Sequence, residues 1–395
     1  MKVLIFIEHF DREYLLASRI ADLLIARGYK VDILSIPFHL WSSLWTTYEL
    51  IMLPFAIRDT EHPLELMKYR FPKARFVSLN FEQILHKANT NFRRPIGPVC
   101  LKDIMHCYYK EEFKTLLLSS GVDEENLVQT PHYAPVIMKQ ASKNTFACPA
   151  NVKRVLVLSS FQWAFLDDAA LEKKIASGYD KDTAYSYRAY CQRQIKEYFK
   201  LVHELSKISN VEVVWRGHPS ESDEVYERLY KTEFGLSKNV VFSSKGSAYQ
   251  WLLNANFVIG SWTTLLIDIS KHYPQHVLRY TPETLPHFLD VDFLDDIPAQ
   301  SLEDILHYVN NAAIENRTSA AILTIEKSVL SLSSSIDKIL SSINDTKSHK
   351  MRVKLKISFI LRVVISLARN MSMTILPAAF TRSKRRDYFQ MRKIK

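Results

Sequence analysis

Glycine is scarce in this chain. Eight glycines stand among 395 residues, about 2% against a usual share of about 7%. No G-x-G-x-x-G and no G-x-x-x-x-G-K-[ST] occurs, which disfavours a dinucleotide-binding Rossmann enzyme and a P-loop kinase. Any phosphate must then be held by side chains and helix ends. Cysteine is sparse too. Cys100, Cys107, Cys148 and Cys191 show neither C-x-x-C spacing nor disulfide density, and read as reduced, cytosolic thiols. The apolar run in Met1–Ile7 is too short for a signal peptide, and Glu8 follows at once. Metal signals are weak: the thirteen histidines form no H-E-x-x-H. Asp180-Lys181-Asp182 and Asp290-Val291-Asp292 have the D-x-D form, but neither follows a clear strand. No metal and no separate cofactor is expected.

The body also lacks excess positive charge. The net charge is +10, but Lys347–Lys395 holds fourteen Lys and Arg against one acid, Asp387, or +13. The remaining 346 residues carry 38 basic and 41 acidic side chains, or −3. A nucleic-acid-binding body would place basic patches on the fold itself, so nucleic acid is not an expected partner. Within the tail, Ser358, Arg362, Ser366 and Arg369 recur at helical spacing among Ile, Phe, Leu and Val. That pattern, with basic flanks, predicts an amphipathic helix lying on an anionic membrane. Arg362 and Arg369 oppose a spanning helix, since each would cost about 2.5–3.5 kcal/mol at mid-bilayer.

What is present is an alternation of β and α signals. Val3–Ile7, Val31–Ser35, Glu49–Pro54 and Ala74–Leu79 read as strands, with helices at Arg12–Arg27 and Leu64–Tyr69. The stretch 131–150 has three prolines and the run Ser142-Lys143-Asn144-Thr145, and reads as a linker. A second set follows, with strands at Arg154–Leu158, Val211–Trp215, Asn239–Phe242 and Phe257–Ile259. Helices are expected between them at Thr183–Ser209, Ser222–Glu233 and Ala248–Leu253. The expected class is α/β: two Rossmann-like domains facing a central cleft, at 1–145 and 146–345, with the basic tail at 346–395.

The most informative stretch is Arg216-Gly217-His218-Pro219-Ser220-Glu221, directly after Val211–Trp215. A buried strand ending in Arg and His, with a helix opening behind it, gathers basic side chains and free N–H groups at one point. Some forty residues on, Phe257-Val258-Ile259 leads into the hydroxyl-rich turn Gly260-Ser261-Trp262-Thr263-Thr264. Two strand–turn–helix units with phosphate-friendly ends suggest a site for a nucleotide-linked substrate.

These motifs resemble the bacterial surface carbohydrate biosynthesis family, glycosyltransferases of the GT-B fold. The N-terminal likeness is a strand followed by Glu8-x-x-x-Arg12-Glu13 and a Leu-Leu-Ala…Arg-Gly helix. The longer likeness runs through Val155–Phe161, Arg216-x-His218-Pro219-Ser220-Glu221, Gly246-Ser247, Trp251-Leu252-Leu253 and Thr263-Thr264. Together it spans roughly residues 1–300. The His-Pro pair and the later Ser/Thr pair also look like enzymes using CMP-activated sugars, sialyl- and Kdo-transferases among them. Departures are Gly217, where the family usually has Pro, the acid Asp268 one position late, and Lys271–Gln275 in place of a Gly-Lys-Pro turn.

The resemblance implies donor binding by Arg216, His218, Ser220, Ser160, Ser261, Thr263 and Thr264. Arg216 has an alternative reading as a bridge to Glu221 or Glu224, and the hydroxyls of 261–264 as helix caps. Glu8, at a strand end, is the candidate general base for an acceptor hydroxyl, with an ion pair to Arg12 as the alternative. Glu13 is a weaker candidate. Asp168, beside Asp167, is a third, with a solvated helix start as the plainer account. The implied activity is metal-independent transfer of a sugar from a nucleotide-sugar donor, CMP-Kdo being the best match. The acceptor would be a lipid-linked or lipopolysaccharide glycan at the inner face of the cytoplasmic membrane. The alternatives are a CDP-linked polyol-phosphate transferase and a non-catalytic scaffold of a capsule or O-antigen assembly.

Overall fold

Val3 to Ile7 are all fully buried, as an unbroken apolar run requires when helices cover both faces of a parallel sheet. The structure, a computed structural model, describes residues 1–55, 61–83, 104–143, 145–176, 179–218, 221–270, 277–284, 286, 297–313 and 318–345. In chain order the first elements are β1 (Lys2–Ile7), α1 (Phe10–Ile25), β2 (Lys30–Ser35), α2 (Ile36–Ser43), β3 (Leu50–Leu53), α3 (Glu61–Arg70) and β4 (Arg75–Ser78). Then come β5 (Ile104–Tyr108), α4 (Glu111–Ser119), β6 (Leu127–Gln129) and α5 (Tyr133–Ala141). Their strands pair in parallel in the order β2-β1-β3-β4-β5-β6.

The second set is β7 (Lys153–Leu158), α6 (Asp168–Ala176), α7 (Lys181–Ser206), β8 (Val211–Arg216), α8 (Asp223–Phe234) and β9 (Val240–Phe242). It continues through α9 (Ala248–Leu252), β10 (Phe257–Gly260), α10 (Thr264–Ser270), β11 (Val277–Tyr280), β12 (Ala299–Gln300), α11 (Leu302–Asn311) and α12 (Thr318–Asp345). The order is β12-β11-β10-β7-β8-β9, again parallel. Numbered within this set and read from β9, that is 3-2-1-4-5-6, the dinucleotide-fold order with its switch point between the first and fourth strands. Here those strands are β7 and β10.

The described residues fall into two compact units, one from 1–140 with those from 323 onward, the other from 141–322. Two expectations are corrected here. The stretch 131–150 holds a nine-residue helix, α5, because Pro135 sits in its first turn, where a missing N–H costs no helical hydrogen bond. α12, expected with the second domain, belongs from Leu323 to the first unit. It buries Leu332, Ile336, Ile339 and Leu340. Its Asp337 accepts from Arg27 Nε at 2.7 Å, and Ser335 Oγ donates to the Gln129 carbonyl at 2.9 Å.

The second unit is held by an aromatic core. α7 starts at the cap Asp180, whose side chain accepts the Thr183 amide at 2.8 Å. It buries Tyr187, Tyr190, Cys191, Gln194, Ile195, Tyr198, Phe199 and Val202 at the three- and four-residue spacing of one helical face. Trp215 of β8 is fully buried against Tyr198, Phe199, Tyr226 and Phe242. The tail 346–395, which carries the expected membrane helix, lies outside the described residues. Among those that are described, no helix is long and apolar enough to cross a membrane.

Candidate functional site

The strands of the second unit run parallel, so their C-terminal ends open on one edge. Ser159 and Ser160 follow β7, Gly217 and His218 follow β8, and Ser261 to Thr263 follow β10. The Ser159 amide donates to the Arg216 carbonyl at 2.9 Å, joining the ends of β7 and β8. On the other side of β7, Ser160 Oγ donates to the Trp262 carbonyl at 3.3 Å, bridging the switch point itself.

The centre of this edge is Glu221. Its Oε2 accepts the His218 amide at 2.7 Å and the Ser159 hydroxyl at 2.9 Å. The Tyr226 hydroxyl lies 3.0 Å from Ser159 Oγ, and the Glu221 amide returns to the His218 carbonyl at 2.8 Å. Burial pushes the Glu221 carboxyl up to about 7 from 4.5, even though the His218 amide and the Ser159 and Tyr226 hydroxyls pull it back down. With its backbone fixed this way, His218 presents an exposed side chain at the strand end.

Arg216 is placed differently from the expected phosphate fork. It is 5% exposed, and its Nη1 and Nη2 donate to the carbonyls of Lys245 and Gly246. It pins the turn into α9, where Gly246 has φ +67° and a Cβ would meet Gln250 Oε1 at 2.5 Å. Because its side chain points back under the sheet edge, Arg216 shapes the site by positioning a neighbouring turn.

The hydroxyl turn is divided in the same way. Ser261 is 1% exposed, turned inward beside the hydroxyls of Tyr190 and Tyr198, so it belongs to the packing beneath the edge. Thr263 Oγ1 accepts the Leu266 amide at 3.0 Å, a helix cap. Thr264 opens α10, but its side chain, like that of Asp268, lies outside the described residues. So do Pro219, Ser220, Lys271–Gln275 and Asp290–Asp292. The helix expected at Ser222–Glu233 is α8: Ser222 is its N-cap, and Asp223 and Glu224 fill its first turn. Those acids already occupy the positive end of the helix dipole.

The carboxylates proposed for acid–base work separate clearly. Glu13 is 1% exposed and accepts the Glu8 and His9 amides at 2.6 and 3.4 Å. It caps α1 from within and cannot meet a substrate as it stands. Glu8, partly exposed at the end of β1, lies 3.8 Å from Arg12 and 3.9 Å from His9. Arg12 also pairs with Glu13 at 2.8 Å and Glu82 at 3.5 Å. Asp167 caps α6 through the Ala170 amide at 2.7 Å. Asp168, 79% exposed, pairs with Arg188 at 2.8 Å, the solvated helix start. Asp180 of the first D-x-D is likewise a cap, its carboxyl held below the ordinary range by the Thr183 amide. Among the described residues no group of three His, Cys, Asp or Glu side chains could hold a metal ion.

Glu221 was visible in the sequence only as the end of a motif. Its Ser and Tyr partners come from β7 and α8, and no spacing rule connects them.

Solved structures share this architecture. The Staphylococcus aureus protein MnaA, determined with UDP, superposes with a TM-score of 0.54 at 10% identity, covering 88% of this chain and 98% of its own. The chain has the GT-B fold. A UDP-N-acetylglucosamine 2-epimerase gives 0.53 at 10% identity, covering 90% of this chain and 99% of its own. The enzyme of that name from Rickettsia bellii gives 0.50 at 10% identity, covering 87% and 97%. No family model matches the sequence, and no curated protein matches it significantly.

Proposed function

We propose that this GT-B protein is an enzyme acting on a nucleotide sugar, and that it transfers the sugar to a surface-glycan acceptor. The observation that carries the reading is His218. It is exposed at the C-terminal edge of a sheet with dinucleotide-fold order, and its own amide is anchored to Glu221. Ligands of such sheets bind outside the carboxyl ends of the strands. Solved proteins of this fold carry UDP or a UDP-sugar in their names, which supports a nucleotide-linked substrate.

In this proposal His218, with Ser160 and the Thr263–Thr264 turn, stabilises the phosphate that leaves as the bond from the sugar's anomeric carbon to the phosphate oxygen breaks. The new bond forms from the anomeric carbon to an acceptor hydroxyl, and Glu8 is the candidate base for that hydroxyl's proton. No metal takes part. The preferred donor is CMP-linked, such as CMP-Kdo, on the strength of the His-Pro and Ser/Thr pairs. The acceptor is a lipid-linked or lipopolysaccharide glycan, reached at the inner face of the cytoplasmic membrane through the basic tail.

A thermal-shift series with CMP, CDP, UDP, GDP and ADP tests the donor. Cytidine nucleotides should stabilise the protein most, and transfer should persist in EDTA. A clear preference for UDP would favour the chemistry of the epimerases of this fold, and strict dependence on a divalent metal would contradict the metal-free mechanism. Absence of any nucleotide binding would favour a non-catalytic scaffold.

A further inference from the structure

One carboxylate oxygen joins three elements at the candidate site. Glu221 Oε2 takes the His218 amide from the turn at 2.7 Å and the Ser159 hydroxyl from the end of β7 at 2.9 Å. The Tyr226 hydroxyl of α8 closes the group through Ser159 at 3.0 Å. Room for this arrangement comes from Gly217. A Cβ there would stand 3.1 Å from Glu221 Oε2 and 3.3 Å from the Glu221 Cβ, tighter than side chains tolerate without moving. The backbone at Gly217 is not in the left-handed region, so the glycine serves space and not φ.

We propose that Glu221 is the positioning residue of the phosphate site, holding the His218 turn from beneath through space that Gly217 leaves open. The proposal rests on the reading of His218 as a phosphate contact. Glu221 itself does not touch the ligand. It turns the His218 amide inward, so that the ring is fixed outward without cost at the moment of binding. A buried carboxylate that loses such donors leaves them unsatisfied, and a loosened turn must be reordered by the ligand.

The test is titration of two probe pairs, cytidine with CMP and uridine with UDP, against wild type, Glu221→Ala, Glu221→Gln and Gly217→Ala. Circular dichroism and the melting temperature establish folding for each. The phosphate increment is the ratio of nucleotide to nucleoside affinity. Glu221→Ala should lower it about tenfold while nucleoside affinity stays level, the scale of one lost hydrogen bond. Glu221→Gln should restore most of it, because its amide oxygen still accepts from the His218 amide. Gly217→Ala should behave like Glu221→Ala. If Glu221→Ala does not fold, the Gln and Gly217 variants decide the matter, with Gly217→Ala low and Gln near wild type as the supporting result. An unchanged increment in a folded Glu221→Ala or Gly217→Ala, or an equal loss for nucleoside and nucleotide, overturns the positioning role and leaves the phosphate site standing. A wild type with no phosphate increment in either pair overturns the phosphate site, and the positioning role with it.

Discussion

At the residue scale, burial decides what each candidate does. Arg216 and His218 stand two apart, a spacing that would share one face on a continuous strand. But β8 ends at Arg216, and there Arg216 is buried under the sheet edge while His218, beyond that end, is exposed. Glu221 carries a consequence for stability. Its carboxyl titrates near 7 in the folded protein, against 4.5 when unperturbed, because burial disfavours its charged form. The folded state therefore holds a proton that the unfolded state has released. The resulting stabilisation is complete below pH 4.5 and is lost as pH rises to about 7, a change on the order of 3 kcal/mol. Denaturant unfolding at a series of pH values should show wild type losing stability relative to Glu221→Gln over that window. Parallel curves would mean that the carboxyl is ionised throughout. None of this was legible in the sequence, where Glu221 closes a motif and its partners Ser159 and Tyr226 are ordinary residues of other elements. Gln194 is a similar case: it is fully buried in α7 and neither amide atom has a partner among the described residues.

At the scale of elements, periodicity told most of what could be told. β1, β7, β8 and α7 were legible because each is a long apolar pattern of a single period. β5 was not, since Ile-Met-His-Cys-Tyr buries His106 within the strand and reads as mixed. α5 was hidden by Pro135, a breaker in most contexts but harmless in a first turn. The place of α12 was hidden as well, because its contacts to Arg27 and Gln129 span about 310 and 206 residues. Its buried Leu332, Ile336, Ile339 and Leu340 hold it there. At about 1.5–3 kcal/mol for each buried side chain, they outweigh the pair from Arg27 to Asp337, whose carboxylate is 60% exposed and whose worth is at most about 1 kcal/mol. The tail is the element that remains a reading of sequence alone. Deleting residues 346–395 removes fourteen basic side chains and takes the net charge from +10 to −3. The shortened protein should stay soluble and cease to sediment with anionic liposomes, and full-length binding should weaken with salt. Continued sedimentation after deletion would place the membrane contact elsewhere. Extraction by detergent alone would mean a spanning segment.

At the scale of the whole molecule, the two parallel sheets and the GT-B fold were legible, because alternating β and α patterns dictate helices on both faces of a sheet. The strand orders were not, yet they bring the candidate turns together. With β7 and β10 adjacent and β8 beside them, the turns after these strands share one edge, the edge on which the proposed phosphate site lies. The central claim is that the His218 turn binds the donor phosphate. It is tested most directly by isothermal titration of the best-binding nucleotide against wild type and His218→Ala, with the matching nucleoside as control. A charge-assisted contact of about 1.5–3 kcal/mol predicts a loss of roughly ten- to a hundredfold for the nucleotide, with nucleoside affinity unchanged. Equal nucleotide affinity in a folded His218→Ala variant would contradict the account.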